Sequence, residues 1–300
     1  MASEQQTEQI EIGMGHPQPP SFLTAMVAGG LAGTSVDVAL FPIDTLKTRL
    51  QAPVGFLKAG GFKGIYNGIG AAAAGSAPGA ALFFCTYETL KPVVLRWQER
   101  VGIQNQDALS HMIAASVGEA AACLVRVPTE VVKAKMQTTA APLSLADTVR
   151  GVLKERHGGN PLASVTGGLY RGYGITLFRE IPFAVIQFPL YEKFKVWWGD
   201  QQGTPVSPWQ AAACGSFSGA IAAAVTTPLD VLKTRLMLGT DKNGRVYTGV
   251  SDVLRTTLEA EGKTALLNGI QPRVMWISIG GFVFFGAYET FKATVSPVLG

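Results

Sequence analysis

The sequence predicts an all-α membrane protein with six transmembrane helices in three pseudo-symmetric repeats. The helices form a barrel around a central cavity and are linked by short amphipathic helices. Three observations predict this. Of 300 residues, 47% are hydrophobic and 15% charged, and the apolar residues gather into runs at 22–43, 71–90, 108–128, 174–194, 209–229 and 270–288. Each run is close to the roughly 20 residues needed to cross about 30 Å of hydrocarbon. The pattern Pro-x-acid-x-x-Lys-x-base closes every odd run, with Pro42, Asp44, Lys47 and Arg49 in the first, Pro128, Glu130, Lys133 and Lys135 in the second, and Pro228, Asp230, Lys233 and Arg235 in the third. A Tyr-Glu-x-x-Lys motif closes every even run, at Tyr87, Glu88 and Lys91, at Tyr191, Glu192 and Lys195, and at Tyr288, Glu289 and Lys292.

Each element follows in order. Residues 1–20 hold Glu4, Glu8 and Glu11 and no Lys or Arg, so they read as a disordered polar tail and not as a transit peptide or secretory signal. The repeats then occupy 21–100, 105–200 and 206–298. Within each, an odd helix is kinked at its proline (Pro42, Pro128 or Pro228), because the ring clashes with the preceding turn and removes a backbone donor. The acid and lysine that follow stand three residues apart on one helical face, where each needs a partner. Threefold symmetry lets the acid of one repeat meet the lysine of the next and close a ring. Small residues such as Gly29, Gly30, Ala32 and Gly33, or Gly215, Ser216, Ser218 and Gly219, suit close helix packing in lipid.

Between the two spans of each repeat an amphipathic stretch, for example Ser251–Ala260, predicts a short surface helix. It ends in a turn at Asn67-Gly68, Arg171-Gly172 or Asn268-Gly269. The second repeat is longer, with an insertion over Gly158–Gly168. These long loops carry Lys58, Lys63, Arg150, Lys154, Arg156, Lys242, Arg245, Arg255 and Lys263, while the short connections near 99–106 and 199–206 have only Arg100. The positive-inside bias puts the long loops on the inner side and both termini outside. Cys85, Cys123 and Cys214 have neither metal nor disulfide spacing and read as small buried thiols.

Charges also fall inside the spans, where they normally face a water-filled cavity. Asp37 is seven residues before Asp44, and Glu119, Arg126 and Lys133 form a seven-residue stripe, so each set returns to nearly one face. Arg179 and Glu180 are adjacent at mid-span, and Arg273 and Trp276 stand near the start of the last span.

The threefold signature, the glycine turns and the Tyr-Glu-x-x-Lys ends together resemble the mitochondrial carrier family from residue 22 to 295. The resemblance implies a transporter of the mitochondrial inner membrane in which two charge rings close the cavity alternately. The matrix ring would be Asp44, Lys47, Glu130, Lys133, Asp230 and Lys233. The cytosolic ring would be Glu88, Lys91, Glu192, Lys195, Glu289 and Lys292, flanked by Tyr87, Tyr191 and Tyr288. Gln51 and Gln137 resemble the glutamine braces of the matrix pairs, and Met237 stands at the third such position. Arg179-Glu180 resembles the second substrate contact point, with Gly75-Ser76 and Trp276-Ile277 at the other two. The uncharged pairs argue against nucleotide polyphosphates and di- or tricarboxylates, which would want more arginines.

Within that family, further segments resemble members that move S-adenosylmethionine: Ser35-Val36-Asp37, Ala59-Gly60-Gly61-Phe62, Gly118-Glu119, Arg126-Val127-Pro128, Phe178 to Phe183 and Ser278 to Phe282. The resemblance implies S-adenosylmethionine and S-adenosylhomocysteine as ligands, with Arg179 and Glu180 on the amino-acid head, Asp37 at a positive centre and Trp276 against adenine. Glu119, Arg126, Arg273, Gly75, Ser76 and Ile277 complete the candidate site. It implies no cofactor, no metal and no nucleic acid, and a monomer in contact with membrane lipids, cardiolipin being one candidate. Two other readings stay open: a carrier of another amino-acid-like or adenine-containing substrate, and a non-transporting scaffold with the same fold. An enzyme is not indicated, since Gly68-Ile69-Gly70 follows no strand and lacks the acidic ribose partner of a dinucleotide-type fold. Lys47→Ala and Lys91→Ala are each expected to abolish exchange in reconstituted liposomes; full retention in both would favour the scaffold.

Overall fold

The computed structural model of the chain describes residues 22–101, 107–139, 144–154, 168–204, 206–280 and 282–283. The N-terminal tail, nearly all of the Gly158–Gly168 insertion and the motif of Tyr288, Glu289 and Lys292 lie outside them. The described chain is helical, in the order α1 Phe22–Gln51, α2 Ile69–Val101, α3 Asp107–Gln137, α4 Leu145–Lys154, α5 Tyr173–Gln202, α6 Pro208–Leu238 and α7 Val250–Glu261. A 3-10 turn over Lys263–Leu267 leads into α8, helical over 270–280.

The long helices overrun the apolar runs. Pro42, Pro128 and Pro228 sit inside α1, α3 and α6, which continue to Gln51, Gln137 and Leu238 and so place each charged motif on a helical extension. A proline in mid-helix orphans the carbonyl four residues earlier. In α3 that carbonyl, Leu124 O, accepts a hydrogen bond from the Tyr170 hydroxyl at 3.0 Å. In α6, just before Pro228, Thr226 and Thr227 donate to Ala222 O and Ala223 O, each at 2.7 Å.

Three turns enforce the pseudo-symmetry. Gly68, Gly172 and Gly269 have φ of 93°, 91° and 77°, a region L side chains rarely adopt. A Cβ at Gly68 would also lie 3.1 Å from Lys133 O, one at Gly172 3.1 Å from Met237 Cγ, and one at Gly269 3.2 Å from Lys47 O. Each turn thus rests on the charged end of the next repeat's odd helix. Arginines in the last turns of α1 and α6 reinforce the same seams. Arg49 is fully buried and donates through Nε to Gln137 O at 2.7 Å. Arg235 donates through Nε to Gln51 O at 3.2 Å and pairs its two terminal nitrogens with Glu261 at 2.6 and 2.8 Å, fastening α7 to α6. On α7, Tyr247 of the preceding loop packs against Val253, Leu232 and Leu236, and burial pushes its phenol up to about 12.

Surface helices form in the second and third repeats as expected, but the first departs. Residues 52–68 make successive turns instead of a helix. Gly55, Gly60, Gly61 and Gly64 all have positive φ there, and the Arg49 guanidinium holds Gly61 O, Lys63 O and Gly64 O at 2.6–3.1 Å. Carbonyls turned inward to one guanidinium cannot also accept along a helix. The cysteine expectation is corrected too: Cys123 and Cys214 are buried, but Cys85 is exposed, because its position on α2 faces outward.

The outward surface is apolar. Along α5, Phe178, Ile181, Val185 and Phe188 repeat at helical spacing and are 59–65% exposed. A continuous stripe of that kind is stable only against an apolar surrounding. Trp97, Trp197 and Trp209 are exposed near the ends of α2 and α5 and the start of α6, the position of an interfacial aromatic belt. Among the described residues, Ile69–Gln98 and Pro208–Leu238 are long and apolar enough to cross a bilayer by length and composition. Arg235→Ala is expected to lower stability by about 2–3 kcal/mol, since it strands Glu261 and frees α7; thermal unfolding of the purified protein in detergent measures this.

Candidate functional site

The odd-helix extensions converge at one end of the molecule. There Lys133 Nζ meets Asp44 Oδ2, Lys233 Nζ meets Glu130 Oε2 and Lys47 Nζ meets Asp230 Oδ2, each at 2.7 Å. The acid of each repeat therefore pairs with the lysine of the next, and the third closes on the first. These pairs form a floor. Above it lies a cavity of about 460 Å³, and beneath it a void of about 80 Å³ lined by the same six residues with Gln137, Thr234 and Met237.

A second polar layer supports two of the three pairs. Gln137 Nε2 donates to Asp44 Oδ2 at 3.1 Å and Gln51 Nε2 to Asp230 Oδ2 at 2.9 Å. Each glutamine is also held in place, Gln137 through Thr45 Oγ1 and Gln51 by accepting from Thr234 Oγ1 at 2.6 Å. Among the described contacts the glutamines touch the acids and not the lysines. At the third position Met237 packs instead with Cys123, Val127, Val131 and Val152. The pairs are partly buried, their side chains ranging from 4% exposed at Asp230 to 28% at Glu130. In such a setting, loss of one partner costs more than the surface-pair figure of about 0–1 kcal/mol.

The cavity brings together eight of the ten substrate candidates, Asp37, Gly75, Ser76, Arg126, Arg179, Arg273, Trp276 and Ile277. Glu119 and Glu180 stand one layer back as partners of Arg126 and Arg179. Asp37 lies within side-chain hydrogen-bonding reach of Ser76, and among the described residues it makes no ion pair. Arg273, 3% exposed, pairs with Asp230 and donates to Thr226 Oγ1 at 3.0 Å. Sequence reasoning missed Thr129, which lines the cavity and against which a Cβ at Gly75 would clash. Gly75 is thus required by α2–α3 packing as well as facing the cavity. It also missed Phe41, whose ring lies 5.1 Å from Lys133 Nζ; an aromatic directly before the proline was the available signal.

At the other end two of the three Tyr-Glu-x-x-Lys motifs are described. Lys195 contacts Glu192 of its own helix at 3.3 Å and lies 4.8 Å from the Tyr191 ring centroid. Among the described residues no ion pair links Glu88 or Lys91 to Glu192 or Lys195. The cavity is closed at the proline end.

The sequence matches the family described as mitochondrial carrier protein three times, over residues 18–96, 104–202 and 204–298. This chain belongs to the mitochondrial carrier family. It is a transporter and not an enzyme, and its six-helix carrier fold is that of a mitochondrial inner-membrane protein. Among individual carriers, it is 46% identical over 279 residues to the mitochondrial S-adenosylmethionine carrier protein of Mus musculus, covering 93% of this chain and 97% of that one. The protein of the same name from Danio rerio is 46% identical, with 91% and 98% covered. A protein of Eremothecium gossypii named as the mitochondrial carrier PET8 is 50% identical, with 90% and 97% covered.

The braces make a direct prediction for this carrier. Gln51→Met installs the residue of the third repeat with little change in volume. It is expected to cost about 1–2 kcal/mol by removing a hydrogen bond to a charged acceptor, read as a lower midpoint in thermal unfolding of the substrate-free protein.

Proposed function

We propose that this carrier exchanges cytosolic S-adenosylmethionine for matrix S-adenosylhomocysteine by alternating access. The relatives named above support the ligand. The observation that carries the reading is the set of charges at the cavity: Arg179 and Asp37 line it, and Glu180, one layer back, is ion-paired with Arg179. An amino-acid head presents an ammonium and a carboxylate, which a neighbouring carboxylate and guanidinium grip together. Asp37 then serves the sulfonium, and Trp276 supplies a face for adenine or a cation. A cavity of about 460 Å³ falls within the roughly 300–1,000 Å³ of small-molecule sites.

In this reading the joined floor is the matrix gate, with Gln51 and Gln137 as its braces, and Pro42, Pro128 and Pro228 set the bends that bring its members together. The Tyr-Glu-x-x-Lys ends are the cytosolic gate. Both termini lie in the intermembrane space, all six helices span the membrane, and a monomer in contact with lipids, cardiolipin included, completes the cycle.

The entering ligand carries one more positive charge than the leaving one near neutral pH. A negative matrix therefore favours exchange by about 2.3 kcal/mol per 100 mV. Liposomes containing the purified carrier and preloaded with S-adenosylhomocysteine are expected to take up labelled S-adenosylmethionine faster under an inside-negative potassium diffusion potential. Asp37→Asn should raise KM about tenfold or more and Arg179→Ala should abolish uptake. A potential-independent rate would overturn the charge balance. Exchange confined to lysine or ADP in a competition panel would overturn the ligand.

A further inference from the structure

Asp230 differs from the other floor acids in the use of its two oxygens. Oδ2 takes the floor contacts, Lys47 Nζ at 2.7 Å and Gln51 Nε2 at 2.9 Å. Oδ1 faces the cavity cations: it is paired with Arg273 Nη1 and lies 3.9 Å from Arg179 Nε. Asp44 receives Lys133 and Gln137, and Glu130 receives Lys233; among the described residues neither pairs with an arginine. One carboxylate is therefore shared between the floor and the cavity wall.

The two arginines are also incompletely satisfied. Arg179 Nε and Arg273 Nε are buried donors without a hydrogen-bond partner, and both side chains line the cavity. Buried N–H groups are nearly always paired, and an unpaired one needs an explanation. Two such donors beside a single carboxylate, with three cations around it, are suited to a second oxyanion.

We propose that the carboxylate of the transported ligand takes these donors and draws Arg179 and Arg273 off Oδ1 of Asp230, so that filling the cavity loosens the α1–α6 seam of the floor. This rests on the amino-acid-head reading above and adds the link from occupancy to gate. In the empty carrier Asp230 is held by a lysine, a glutamine and two arginines. Once the arginines turn to the ligand, it keeps only the lysine and the glutamine, the set that already holds Asp44. Loading thus removes the excess hold on one seam, and the ligand acts through its differential affinity for the two states. Arg273 in this scheme is a positioning residue for the gate as well as a ligand contact.

The test compares S-adenosylmethionine with its decarboxylated analogue, which keeps the sulfonium, amine and adenosine, in liposome exchange. The parent is expected to favour the carboxylated ligand by about 30-fold or more in kcat/KM. Arg273→Gln should reduce that preference to within about threefold and raise efflux into ligand-free medium, because the seam is loosened without a ligand. Arg273→Lys, which keeps the charge, should retain most of the preference and serves as the folding control. If Arg273→Gln slows both ligands in proportion, leaving the preference and the efflux at parental values, Arg273 is structural and the coupling is wrong. A parent that exchanges no S-adenosylmethionine while moving another panel substrate overturns the ligand reading and takes the coupling with it.

Discussion

A partly buried ion needs a counter-ion, and here every counter-ion in the floor belongs to a different repeat. Asp44, Glu130 and Asp230 find Lys133, Lys233 and Lys47 at one distance, 2.7 Å. That requirement fixes where three helix ends must meet. The helices must run on past their prolines to deliver the charges. The turns after them must be glycine, since Gly68, Gly172 and Gly269 each press on the end of the next repeat. The buried arginines Arg49 and Arg235 then tie the same ends by their terminal carbonyls. Surface composition follows as well, because a wall that holds its charges inward is left with Phe178, Ile181, Val185 and Phe188 outward.

The three seams obey one plan with different parts. Two have a glutamine beneath the ion pair and an arginine on the partner's last carbonyl. The third has Met237 and an apolar cluster under Lys233 and Glu130, with Lys135 where the others have arginine. Apolar packing thus stands beneath this ion pair where a glutamine stands beneath the others. The seam at Asp230 is the opposite extreme, with four polar groups on one carboxylate. A floor built from unequal seams need not part at all three together.

Much of this was legible in the sequence because repetition amplifies weak signals. One Pro-x-acid-x-x-Lys run would be an ordinary helix end, but three in register dictated the cyclic pairing, and the seven-residue spacing of Asp37 from Asp44 put the former in the cavity. What could not be read were contacts made by residues with several possible partners. Arg273 looked like a ligand contact from its place near a span, and nothing local indicated that it would reach Asp230. Gly75 was assigned to the cavity, while its clash with Thr129 depends on how closely α2 meets α3. The first repeat's loop had helical composition in part, yet Arg49 gathers its carbonyls, a long-range effect that local pattern does not encode.

The closure of the ring also sets an order on assembly. Gln51 and Asp230 are 179 residues apart in sequence, and Arg235 reaches Gln51 O over 184, so the first repeat is completed by the last one made. During synthesis Lys47 waits with no acid until α6 arrives, while Lys133 and Asp44 can already meet. Contacts of such sequence separation form late, after the local ones. A chain cut after its second repeat would therefore leave Lys47 without the acid that it pairs with in the whole chain.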